Sequence, residues 1–157
     1  MARIRRAEEK DVPRIMDLLA QVLMVHHNGR PDLFKAPATK YTEEQLAALL
    51  RDESRPIFAW TDEKDVLQGY CFCILKQEKN DNILTDIKTL YIDDLCVDEL
   101  ARGTHVGSSL YRFVVGWARE HGFYNVTLNV WSCNPGAMEF YQHMGMTPFK
   151  VGMEQIL

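Results

Sequence analysis

The chain has 157 residues, 46% hydrophobic and 25% charged, which fits one ordinary domain spanning residues 1–157 that needs neither disulfide nor metal to bury a core. Its net charge of −4 argues against nucleic acid or an acidic membrane as a partner and is compatible with a cationic substrate. Cys71, Cys73 and Cys96 lie in apolar, strand-like runs and Cys133 just after one, a pattern of buried thiols in a reducing compartment. The start, MARIRRAEEKDV, has no apolar signal segment and no run approaches membrane-spanning length, so the expected location is cytoplasmic.

RIRRA, from Arg3, reads as a short strand. Asp11 stands where a helix N-cap belongs, Pro13 falls in the first turn, and Ile15, Leu18, Leu19 and Val22 recur at helical spacing. The glycine and prolines of HHNGRPDLFKAPATK, from His26, mark a loop. Thr42-Glu43-Glu44-Gln45 has the form of a capping box ahead of Leu46, Leu49 and Leu50, and Pro56 closes that second helix. IFAWT, VLQGYCFCILK and TLYIDDLCV follow, joined by short polar turns, and predict an antiparallel meander. After a glycine-containing loop, Val106, Leu110, Phe113, Val114 and Trp117 mark the buried face of a third helix that Gly122 stops. NVTLNVW is a strand. Asn134 caps a short helix with Pro135 at its first position and Gly145 past its end, and FKVGMEQIL is a final strand. The order β-α-α-β-β-β-α-β-α-β predicts an α/β (α+β) fold, a mixed, mostly antiparallel sheet with helices on both faces.

The stretch Arg102-Gly103-Thr104-His105-Val106-Gly107-Ser108-Ser109 lies between a strand and a helix start. The first amides of a helix lack internal partners and carry the positive end of its dipole. Small residues let a phosphate approach them. The stretch has no lysine for a P-loop and lacks the middle glycine of the dinucleotide-binding pattern. A plain alternative is that Gly103 makes a turn and Gly107 only allows helix–sheet packing.

Two further segments bear on that choice. Asp94-Leu95-Cys96-Val97 precedes the loop, and LNVWSCNPGAMEFYQHMGM follows, with Asn134, Ala137, Phe140, Tyr141 and Gly145. Together they resemble the GNAT superfamily of acetyl-coenzyme A-dependent N-acetyltransferases. The order of elements fits over nearly the full chain, with the specific motifs at residues 93–146. The resemblance implies that Arg102, Gly103, Thr104, His105, Val106, Gly107 and Ser108 hold the pyrophosphate of acetyl-coenzyme A. It also implies that the backbone of Leu95, Cys96 and Val97 pairs with the pantetheine arm and donates to the oxyanion. Asn134 then lies near the arm and Tyr141 near the sulfur. His105 stands where the family usually has glycine; a helical backbone there would lay its imidazole beside the phosphate.

Direct transfer to an amine needs a base for the ammonium proton, a donor for the oxyanion and an acid for the thiolate. Tyr141, a phenol protonated at neutral pH, is the candidate acid. It is seven residues from Asn134, about 10 Å along one helix face; a core tyrosine is the alternative. YIDDLCV resembles the acidic-pair strand of polyamine- and thialysine-type members, whose first acid is the proposed base. That implies Asp93 as base, with a structural role as the equal alternative and as the favoured one for Asp94. Strand alternation sets the two on opposite faces. His26, His27, Arg30 and Asp32 are candidates for the acceptor site. No metal is expected, because His26-His27 with Cys71 and Cys73 lacks ligand spacing.

The function expected is transfer of acetyl from acetyl-coenzyme A to a primary amine, a small cationic one preferred. The alternatives are a protein N-terminal or lysine acetyltransferase and a non-catalytic acyl-coenzyme A sensor. An exposed sheet edge and the C-terminal strand are compatible with a homodimer.

Overall fold

The continuous apolar run LQGYCFCIL has too many large side chains for a surface strand, so it becomes the middle of the sheet. In the computed structural model, which describes residues 2–157, it forms β3 (Leu67–Gln77). The sheet has the order β1-β2-β3-β4-β5. β1 (Arg3–Arg6), β2 (Ile57–Thr61), β3 and β4 (Lys88–Val97) pair antiparallel, each with the next. β5 (Asn125–Thr127) returns parallel to β4 after the crossover helix α3 (Val106–Glu120).

Period two along β3 divides the core. Tyr70 and Phe72 face α1 (Val12–Gly29) and α2 (Glu43–Leu50), where they meet Ile15, Leu18, Leu19 and Leu46. Cys71 and Cys73 face α3, with Val106, Leu110 and Val114; Phe140 and Tyr141 of α4 (Pro135–His143) border that second cluster. Each large side chain so buried contributes about 1.5–3 kcal/mol. Gly69 lets α3 sit close on the sheet: a Cβ there would come within 2.8 Å of Val106 and 3.1 Å of Leu110. This close approach fixes the start of α3 against β3 and β4.

The caps follow the residues. Thr42 and Gln45 exchange the two bonds of a capping box. Asn134 accepts from the Ala137 amide, Pro135 opens α4, and Gly145 takes φ 104° just past its end. Asp11 precedes α1 but does not cap it. Its carboxylate instead accepts from the Glu8 amide at 2.8 Å and from both terminal nitrogens of Arg5 at 2.7 and 3.0 Å. The pair ties β1 to the start of α1, and burial of the carboxylate makes it matter: Asp11 is 3% exposed.

Four expectations change. FKVGMEQIL forms no ladder, helix or turn, because a strand needs an edge partner and the tail meets none within the described chain. NVTLNVW pairs only over Asn125–Thr127. His26 and His27 lie in the last turn of α1, which runs on to Gly29 instead of stopping before them. Cys71, Cys73 and Cys96 are buried, but Cys133, beyond the paired part of β5, is exposed. Among the described residues no helix is long and apolar enough to cross a membrane.

Removing Asp11 leaves Arg5 largely buried with only Asp65 to accept from it, at 3.1 Å. Asp11→Ala is expected to cost about 3 kcal/mol in urea unfolding, the lower end for breaking a buried pair. A loss under about 1 kcal/mol would make the pair a surface contact in effect.

Candidate active site

β3 and β4 match residue for residue from Gln77 and Lys88 to Cys73 and Ile92, and again from Phe72 and Asp94 to Gly69 and Val97. Asp93 is the extra residue, a β-bulge. Bulges bend a strand and increase its twist. On its other side β4 keeps β5 only at Thr89, Leu90 and Tyr91. Past Tyr91, no strand among the described residues runs along that edge of β4, so the backbone of Leu95, Cys96 and Val97 borders an opening.

The bulge overturns the opposite-face expectation for the two acids. Asp93 accepts from Lys40 Nζ at 2.6 Å and from the Tyr41 hydroxyl at 3.3 Å, and Tyr41 stacks on Phe72. Asp94 accepts from the Tyr70 hydroxyl at 2.6 Å, and Tyr70 packs edge-on against Phe72. Both carboxylates therefore reach groups on the α1–α2 side of the sheet. Burial pushes the Asp94 carboxyl up to about 6, against the Tyr70 hydrogen bond and the Lys40 charge, which favour its ionised form. Burial of Lys40 works against its charge, but the Asp93 hydrogen bond and the two carboxylates outweigh it and hold its pKa above the usual value. The Lys40–Asp93 and Tyr70–Asp94 contacts had no sequence signal, since they join residues 53 and 24 positions apart.

The loop after β4 is held at its root. Arg14 of α1 donates to Asp98 at 2.5 Å and to the Leu67 carbonyl at 3.0 Å, while Asp98 accepts from the Leu100 amide. From there the backbone turns through Gly103 at φ 79° and His105 at φ 65°, ψ 15°. His105 is thus left-handed, in the conformation a glycine would take freely, and not helical as expected. Among the described residues, the amides of Gly103, Thr104, His105, Val106, Gly107 and Ser108 donate to no protein acceptor; the first bond of α3 is Ser109 N to the His105 carbonyl. Arg102 forms no ion pair with any described residue. A Cβ at Gly107 would meet Val97 at 3.5 Å and Phe140 at 3.7 Å, ordinary contacts between α3, β4 and α4. Six free amides and an unpaired guanidinium suit a diphosphate.

Tyr141 stands across the opening. Its ring lies 6.2 Å from Tyr111 and 5.1 Å from Phe140. Its hydroxyl bonds no described residue, yet none of the buried side-chain polar atoms lacks a partner, so this hydroxyl borders open space. Burial raises its pKa, and the nearby Cys71 and Asp94 raise it further, so the phenol keeps its proton. Asn134 spends Oδ1 on the Ala137 amide at 3.3 Å and leaves its amide nitrogen free of described partners. Burial pushes the Cys96 thiol up to about 12, which removes it as a nucleophile at neutral pH.

The family model for the GNAT acetyltransferases matches residues 22–146. The chain belongs to the GNAT acetyltransferase family. Among solved structures it is similar to a mutant of the BH1408 protein of Bacillus halodurans, with 28% identity, 99% of each chain covered and a TM-score of 0.94. It has the fold of an aminoglycoside acetyltransferase from an uncultured soil metagenomic sample, at 18% identity, coverage of 99% and 95%, and a TM-score of 0.72. It likewise has the fold of glucosamine-6-phosphate N-acetyltransferase from Arabidopsis thaliana, at 20% identity, coverage of 99% and 98%, and a TM-score of 0.71. No curated protein sequence matches it.

GNAT acetyltransferases use acetyl-coenzyme A in general, and the free amides, open β4 edge and unbonded Tyr141 hydroxyl of this one fit such a donor. Beside that edge, the segment after α1 is held internally. His27 Nδ1 lies 2.7 Å from the Phe34 carbonyl, and Arg30 pairs with Asp32 at 2.8 Å and with Glu154 at 2.5 Å. The Arg30, Asp32 and His27 side chains are thus engaged with protein partners. His26 stacks near Phe34, at 5.1 Å, and burial lowers its pKa.

Left-handed backbone at a side-chain-bearing residue costs about 1–2 kcal/mol. His105→Gly should therefore hold or raise the Tm, whereas His105→Val should lower stability by about 1–2 kcal/mol and weaken coenzyme A binding. Equal Tm values for the two variants would contradict the left-handed conformation. For Asp94, a folded-state pKa raised from 3.8 to about 6 means that the native state binds the proton more tightly, so stability falls as pH rises across that window. Asp94→Asn should stabilise the protein at pH 8 by up to about 3 kcal/mol, the free energy of that displacement, and hardly at all at pH 3.5. A pH-independent gain would remove the buried charge as its cause.

Proposed function

We propose that this GNAT acetyltransferase moves an acetyl group from acetyl-coenzyme A to the nitrogen of a primary amine, with a small cationic amine preferred. What carries the reading is the convergence on one open strand edge of free amides, an unbonded phenol and two carboxylates. The aminoglycoside and glucosamine-6-phosphate acetyltransferases that share the fold act on amine-bearing acceptors, which supports the amine class. The three buried free thiols agree with a reducing, cytoplasmic setting.

When bound, acetyl-coenzyme A supplies the acetyl group as an activated thioester. The amides of Gly103 to Ser108, with Arg102 beside them, hold the diphosphate. The open edge at Leu95, Cys96 and Val97 pairs with the pantetheine arm as a neighbouring strand would, and an amide there faces the carbonyl oxygen. Asn134 donates to the same arm. Tyr141 Oη gives its proton to the sulfur; its raised pKa ensures that the proton is present at neutral pH.

The proton of the acceptor ammonium needs a base. The structure divides that task between the two acids, where the sequence favoured Asp93 alone. Asp93 already binds one ammonium, that of Lys40, and an acceptor ammonium takes a comparable place beside it. Asp94, at about 6, is ionised at neutral pH yet basic enough to accept a proton, directly or through a water.

Thiol release from acetyl-coenzyme A over a panel of amines and peptides tests the reading. Small cationic amines should give turnover and N-terminal peptides little; coenzyme A binding with no turnover on any acceptor would make the protein a sensor. Tyr141→Phe should lower kcat about a hundredfold or more with coenzyme A affinity nearly unchanged. Equal loss of both would leave Tyr141 as packing. The acidic limb of kcat/KM should fall near pH 6 and vanish in Asp94→Asn, whereas Asp93→Asn should mainly raise KM for a cationic amine. A limb that disappears in Asp93→Asn instead would restore Asp93 as the base.

A further inference from the structure

The two edges of the sheet are built differently. β1, at one edge, carries Arg3, Arg5 and Arg6 in four residues, the kind of charge that keeps strands from adding to an edge. The other edge is β5 and its continuation, Asn125-Val126-Thr127-Leu128-Asn129-Val130-Trp131, with no charged residue in seven. Only Asn125–Thr127 pair with β4, and nothing pairs along the outer side of this segment.

The same chain carries an unpaired apolar segment. Residues 147–157 form no helix, turn or ladder. Phe149, Val151, Met153 and Ile156 are between 66% and 88% exposed, and Leu157 is fully so. Phe149, Val151 and Met153 alternate with Lys150, Gly152 and Glu154, a strand pattern with one apolar face. The tail is also placed, since Glu154 is held by Arg30 at the end of α1. Trp131, at the end of the bare edge, packs edge-on against Phe34, so both features lie beside the segment that follows α1.

We propose that the protein is a two-fold dimer in which the tail of each copy, residues 147–157, adds as a strand to the sheet edge at residues 125–131 of the other. The chain carries both halves of the contact, an uncharged edge and an apolar strand, and a two-fold axis uses each half twice. The area suffices. At about 100 Å² of apolar surface per large side chain, five such residues offer about 500 Å² per copy. A standard interface of about 800 Å² per partner, roughly 60% apolar, needs no more. The added strand would border the wall formed by Trp131 and Phe34, so each copy would help close the acceptor side of the other.

The test uses the full chain. Light scattering after gel filtration should give twice the chain mass. Hydrogen exchange should show residues 147–157 and 125–131 protected together, and losing protection together on dilution. Val151→Asp with Met153→Asp, at exposed positions that leave the folded core intact by circular dichroism, should weaken association about a hundredfold or more. A monomer at micromolar concentration would overturn the proposal, whether its tail is protected or not. So would a dimer whose tail amides exchange freely, or one that the double variant leaves unchanged. Because the readouts are mass and exchange, they stand apart from any result on acetyl transfer.

Discussion

One extra residue in β4 governs the arrangement of the site. The bulge at Asp93 breaks strict alternation, so two successive carboxylates reach the same side of the sheet. In an unbulged strand Asp93 would point toward α3 and the apolar cluster around Cys71 and Ile92, where a carboxylate has no partner and costs several kcal/mol. The added twist also fits the parting of β4 from β5 after Tyr91. The opening between them gives a thioester backbone groups to pair with, and Tyr141 of α4 stands at its border.

The electrostatics of the opening run in sequence from the phosphate end to the acceptor end. Free amides and Arg102 present positive potential at the start of α3. Tyr141 and Cys96 stay protonated because burial disfavours their anions. Asp93 and Asp94 then supply negative charge, partly offset by Lys40. An acceptor ammonium is drawn to the acidic end and an anionic diphosphate to the other, so the two substrates are sorted by charge along one cleft.

Local chemistry was legible in the sequence, and pairings between distant segments were not. The Thr42 box, the Asn134 cap, Pro135 and Gly145 are each decided by residues within one turn, and they stand as read. The strands of the meander were legible because period two and β-branched content are local as well. The bulge at Asp93 depends on the register between β3 and β4, which no single strand encodes, so Asp94 was read as structural and on the wrong face. Asp11 looked like a cap because its position suits one; Arg5 claimed it from β1. FKVGMEQIL has the pattern of a strand but no edge to join in its own chain, which shows that alternation specifies a face and not a partner.

The most direct test of the central claim is an amide NMR titration with coenzyme A. The account predicts saturable shifts concentrated on the amides of Gly103 to Ser108 and of Leu95 to Val97, with the tip of the β3–β4 hairpin unmoved. Shifts that leave the Gly103–Ser108 amides in place while others saturate would put the diphosphate elsewhere and contradict the account.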